Sequence, residues 1–96
     1  MISSKEVYEG LAKGVADLVY EKQIAYGDSF GKSGQVMKVL FPDGIPADKM
    51  DDALVIVRIV DKLFRIANQK EAFNENPYKD IMGYGLLGMR ANEKGS

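Results

Sequence analysis

Apolar residues recur at helical spacing in four separate runs along this chain. In the first run, Val7, Tyr8, Leu11, Val15, Leu18 and Val19 fall on one side at about 100° per residue. Glu6, Glu9, Lys13, Asp17 and Glu21 fall on the other side. Ser3 and Glu6 have the S-x-x-E spacing of a capping box, so the pattern predicts a helix from there to about Gln23. Gly10 and Gly14 weaken it slightly and leave room for a close neighbour.

A second, short run carries Val36, Met37, Leu40 and Phe41, with Ser33 placed to cap it. Between the two lies "AYGDSFGKSG", a glycine-rich stretch expected to be a loop. Pro42-Asp43-Gly44 is a turn signal, and Pro46 suits the first position of the next helix.

The third run is the longest, from about Ala47 to Gln69. Met50, Ala53, Leu54, Val57, Val60, Phe64 and Ala67 make one stripe, and Ile56, Ile59, Leu63 and Ile66 another. Only Asp51, Arg58, Asp61, Lys62 and Arg65 remain as a polar strip, within about 60° either side of Arg58 at 3.6 residues per turn. A helix so nearly apolar all round is central, or shared with a second chain. Val57, Val60, Leu63 and Phe64 are its expected core residues. "ALVIVRIV" is β-branched, but the charges keep helical spacing, so a strand is not expected. In the fourth run Asn76 caps, Pro77 opens the helix, and Gly83, Gly85 and Gly88 leave it smooth enough for close packing. The closing residues from Ala91 should fray.

The pattern therefore predicts a single all-α domain spanning residues 1–96, a bundle of three main helices plus one short one. A chain of 96 residues has little other surface with which to cover the long helix. A homo-oligomer, with the first or long helix at the interface, is expected.

Composition narrows the chemistry. The chain has 13 basic and 14 acidic residues, and its net charge of −1 speaks against general nucleic-acid binding. It has no cysteine and no histidine, which removes thiolate sites and the commonest general base. Any metal would be a hard ion such as magnesium, held by carboxylates. The start of the chain is polar, no apolar run approaches the roughly 20 residues of a membrane span, and a cytoplasmic protein is expected.

Three groups of residues could carry function. Arg58, Lys62 and Arg65 could bind phosphate oxygens, with Asp61 orienting them; arginine suits this because its fork is bidentate. The same four residues could equally be a solvated ion-pair ladder. In the glycine-rich stretch, Gly27, Gly31 and Gly34 permit close backbone approach. A helix start at Ser33 together with Lys32 favours an anion. Tyr26 and Phe30 could stack on a base, and Asp28 and Ser29 could read a ribose or base edge. The "GKS" tripeptide lacks the spacing of a P-loop. A plain interhelical turn capped by Asp28 is the alternative. Third, Glu6 and Glu9 share a helix face and are candidate magnesium ligands or solvent-facing acids. Asp80 and Tyr84 lie one turn apart on the last helix.

"YGDSFGKSG", "RIVDKLFRIANQ" and "YKDIMGYGLL", in that order, resemble the nucleotide-modification-associated domain family of phages and bacteria. The matching positions are Tyr26, Gly27, Asp28, Ser29 and Phe30; Arg58, Ile59, Asp61, Lys62 and Arg65; and Asp80, Gly83 and Tyr84. The resemblance spans about Lys22 to Leu87. It implies a phage-encoded protein, in the host cytoplasm, that handles a nucleotide in metabolism or modification, or sequesters a nucleotide signal. Glu6-x-x-Glu9 is similar to the first half of the magnesium motif of MazG-type pyrophosphohydrolases. No E-x-x-D follows it; Asp48-x-x-Asp51 is the nearest substitute. A magnesium-dependent nucleotide pyrophosphohydrolase is therefore the second functional expectation, and a structural oligomer that binds nothing is the third.

Overall fold

The computed structural model of the chain describes residues 3–69 and 71–95. It is all-α, as the periodicity predicts. Four α-helices are present among the described residues: α1 (Ser4–Ala25), α2 (Ser29–Leu40), α3 (Met50–Ala67) and α4 (Pro77–Gly95). Single 3₁₀ turns at Ala47–Lys49 and Ala72–Asn74 precede α3 and α4.

Caps account for most of the boundaries. The Ser3 side chain accepts from the Glu6 N–H at 3.2 Å, half of the capping box expected there. α1 ends in a Schellman motif: the Asp28 N–H donates to the Gln23 carbonyl at 2.9 Å, and the Gly27 N–H to that of Ile24 at 3.3 Å. Gly27 (φ 63°) and Asp28 (φ 57°) are both left-handed, so the chain turns sharply within two residues. Asp28 then caps α2, accepting from the Gly31 N–H at 3.3 Å. A Cβ at Gly31 would lie 2.5 Å from Asp28 Oδ2, so the glycine makes room for that cap.

This corrects the expected loop. The stretch from Ser29 to Gly34 is helix, and Ser33 is a buried residue within α2 instead of its cap. The strong local cap at Asp28, directly after a Schellman glycine, starts the helix five residues early. At the other end, Asn76 Oδ1 accepts from the Tyr78 N–H at 3.1 Å and Pro77 opens α4, as the sequence suggests; Pro77 is also fully buried. α4 continues to Gly95, past the residues expected to fray.

α3 is the central helix, with α2 and α4 packed against it. The core is thin. Ala25, Ala53 and Val60, with Pro77, are its buried apolar residues among those described. Val57 and Phe64 are half-buried. Leu63 departs from expectation at 52% exposed, because α2 and α4 do not close over that side of α3. α1 meets the rest of the chain chiefly at its carboxy-terminal end, where the Gln69 N–H donates to the Ala25 carbonyl at 3.2 Å. The molecule is accordingly long, 61 × 30 × 27 Å, with a radius of gyration of 17.6 Å. A compact chain of this length would have a radius near 12–13 Å by the usual size scaling. No helix among the described residues is long and apolar enough to cross a membrane.

Candidate functional site

α3 organises the candidate residues because it lies between the α1–α2 corner and α4. Arg58, Asp61 and Lys62 occupy its middle turns, and Arg65 its last. Helical spacing puts all four on one side, but the neighbours treat them differently. Arg58 and Asp61 are exposed, Lys62 is half-buried, and Arg65 is 1% exposed.

Arg65 is the clearest departure from the expected solvent-facing strip. Its Nη1 lies 2.7 Å from Glu75 Oε2 and its Nη2 donates to the Glu75 carbonyl at 2.9 Å. The guanidinium carbon stands 5.6 Å from the centre of the Tyr26 ring. Tyr26 in turn meets Phe73 edge to face at 5.9 Å, and Lys22 Nζ lies 5.1 Å from the Phe73 ring centre. Arg65 therefore joins three segments: the end of α1, the end of α3 and the connector into α4. Phe73 and Asn74, both at positive φ, bend that connector so that Glu75 reaches the guanidinium.

Earlier turns of the same side of α3 form a second cluster with α4. Lys62 Nζ pairs with Asp80 Oδ2 at 3.3 Å. The Arg58 guanidinium carbon lies 5.8 Å from the centre of the Tyr84 ring, within cation–π range. Together Leu54, Val57, Arg58, Asp61, Lys62 and Tyr84 line an open hollow of about 460 Å³. Two cations and a tyrosine on apolar walls suit an anionic ligand that also carries a flat ring.

The α1–α2 turn touches this arrangement at definite points. Ser33 Oγ lies 3.4 Å from Asp61 Oδ1 and is also within hydrogen-bond reach of the Ser29 carbonyl. Gly27 sits against Asn68 at the end of α3; a Cβ there would be 2.1 Å from Asn68 Nδ2. Asn68 is held by its own bond to the Phe64 carbonyl at 2.7 Å. Tyr26 thus meets Arg65, Gly27 meets Asn68 and Ser33 meets Asp61, while Arg58, Asp61, Lys62 and Tyr84 line one hollow with Asp80 paired to Lys62. Phe30, 98% exposed, and Lys32 point elsewhere. Tyr26, Asp28, Ser29 and Phe30 border a separate groove of about 400 Å³ with Val19 and Lys22. The aromatic and cationic groups expected to share one pocket therefore line two different hollows of the chain.

Glu6 and Glu9 stand exposed on α1, where Glu9 pairs with Lys5 at 3.8 Å. Among the described residues, no three Asp or Glu side chains gather closely enough to hold a metal ion. Sequence reasoning missed Glu75, Phe73 and Lys22. Lys22 was legible, being one helical turn before Tyr26. Glu75 and Phe73 carry no spacing signal, because an irregular connector delivers them.

Comparison of the chain with protein-family models, with curated proteins and with solved structures finds no match.

Proposed function

We propose that this protein binds a nucleotide or another phosphorylated nucleoside in the hollow between α3 and α4, without turning it over. Arg58 and Lys62 hold phosphate oxygens, and Tyr84 offers a ring face to the base. Asp61 and Asp80 orient the cations. The observation that carries this reading is the placing of Arg58 and Lys62 beside Tyr84 on the apolar floor of Leu54 and Val57. A volume of about 460 Å³ falls within the range of small-molecule sites, roughly 300–1,000 Å³. A purely solvated ion ladder has no need of a hollow or of an aromatic partner.

The order of the three blocks that resemble the nucleotide-modification-associated domain family supports the same ligand class. It also supports a phage-encoded, cytoplasmic protein that works in nucleotide metabolism or sequesters a nucleotide signal. The Tyr26–Ser33 stretch acts from the neighbouring corner: Ser33 steadies Asp61, and Tyr26 covers Arg65. We take the working form to be a homo-oligomer.

A thermal-shift panel of mono-, di-, tri- and cyclic nucleotides, with and without magnesium, tests this reading. A ligand at 100 times its Kd adds about 2.7 kcal/mol of apparent stability. No shift with any nucleotide overturns the proposal. A shift accompanied by magnesium-dependent release of pyrophosphate replaces it with the pyrophosphohydrolase reading.

A further inference from the structure

The accessible surface of the chain is 7640 Å². A folded monomer of 10.6 kDa exposes about 5,500 Å² by the size scaling of monomeric proteins. The excess is about 2,000 Å² per chain, so two chains together carry roughly 4,000 Å² of it, which lies inside the range that obligate dimers bury. Much of that surface is on α1. Its apolar face is complete and uncovered: Tyr8, Leu11, Val15 and Leu18 are between 47 and 69% exposed. These positions advance by three, four and three residues, the spacing of the a and d sites of a heptad. A helix of 22 residues is about 33 Å long, and α1 carries this seam away from its own body.

We infer that a second copy of this chain covers the seam and that the two α1 helices run antiparallel. The partner is self-complementary because the face is apolar on both sides of its pairing axis, with its charges on the opposite face. The direction follows from Lys22, which continues the heptad one step past Leu18. A parallel pair sets Lys22 against the partner's Lys22, two like charges in one layer. The antiparallel pair sets Tyr8 against the partner's Leu18, Val15 against the partner's Leu11, and Lys22 against the partner's Ser4. It also seats the amino-terminal half of each α1, which has little to rest on within its own chain, beside the groove bordered by Val19, Tyr26 and Phe30 of the other. Phe30, 98% exposed at the start of α2, lies at that groove. This inference goes beyond the nucleotide reading and does not rest on it.

The chain has no cysteine, so engineered disulfides report the pairing directly. Tyr8→Cys and Leu18→Cys chains are co-expressed and mildly oxidised. The expected product is a covalent dimer joining one chain of each kind, while either variant alone gives almost none. Leu11→Cys with Val15→Cys is the second pair and behaves in the same way, should either first variant fold poorly by circular dichroism. Sedimentation of the parent gives a mass above 10.6 kDa, and Leu11→Asp weakens association at least tenfold. Self-linked Tyr8→Cys or Leu18→Cys dimers overturn the antiparallel direction. A parent that is monomeric at every concentration, or an oligomer in which neither mixed pair cross-links, overturns the seam. Nucleotide-induced thermal shifts are read separately, so failure of one reading leaves the other standing.

Discussion

Arg65 and Glu75 form the closest ion pair among the described residues, with Nη1 2.7 Å from Oε2, and the second arm of the guanidinium is bound to the Glu75 carbonyl. Ten residues separate them, and one of them is almost wholly buried. A cation from a helix expected to display it is instead turned inward to hold a connector. Its partner is nearly half exposed, so the charge stays linked to solvent on one side.

Glu75→Gln keeps the shape and removes the carboxylate charge from the buried guanidinium. The expected loss is about 1.5–3 kcal/mol, the range for a hydrogen bond to a charged group. Arg65→Ala loses both bonds and the packing on Tyr26, and is expected to cost more. Urea denaturation measures both. An Arg65→Ala protein as stable as the parent would return Arg65 to the surface-charge role.

Arg58 is expected to behave in the opposite way. It is exposed and has no ion pair shorter than 4 Å among the described residues. Arg58→Ala should leave stability within about 0.5 kcal/mol. It should weaken nucleotide binding about tenfold to a hundredfold, the equivalent of roughly 1.5–3 kcal/mol. Calorimetric titration against the parent checks the binding, and unchanged affinity would remove Arg58 from the site.

The corner between α1 and α2 is predicted to depend on its backbone. Gly27→Ala puts a Cβ on a residue at φ 63° and against the Asn68 side chain. The left-handed conformation alone costs about 1–2 kcal/mol for a residue with a Cβ. Gly34→Ala adds a Cβ to a helical glycine with nothing within 4 Å, and is expected to be neutral or slightly stabilising. The melting temperature should therefore fall for Gly27→Ala and hold or rise slightly for Gly34→Ala.

Asp28→Ala removes the cap of α2 and should cost about 0.5–2 kcal/mol. Asp28→Asn should restore most of it, since the amide oxygen accepts the same Gly31 N–H. If both variants lose equally, the carboxylate charge matters more than the cap.

Much of the fold was legible in the chain because it rests on local rules. Period and capping chemistry placed α1, α3 and α4, since Ser3, Asn76 and Pro77 act on backbone groups within one turn of themselves. Even the early start of α2 was written locally: a Schellman glycine followed by an aspartate three residues before Gly31 is a cap signal. The glycine-rich composition of the stretch concealed it. Central placement of α3 followed from apolar residues on nearly every side of it.

What helical periodicity could not do was rank residues sharing a face. Arg58, Lys62 and Arg65 are equivalent on a helical wheel, yet one is exposed, one is half-buried beside Asp80, and one is enclosed by Tyr26 and Glu75. That difference comes from which segment packs over each turn of α3. The Phe73–Glu75 connector decides it, through left-handed conformations at Phe73 and Asn74 that no spacing rule specifies. The same holds for Leu63 and for the face of α1. The sequence determined that these surfaces are apolar. Only the tertiary arrangement decided that α2 and α4 pack on α3 while Leu63 and the face of α1 stay bare, because α1 extends away from the body and leaves α2 and α4 to cover the central helix.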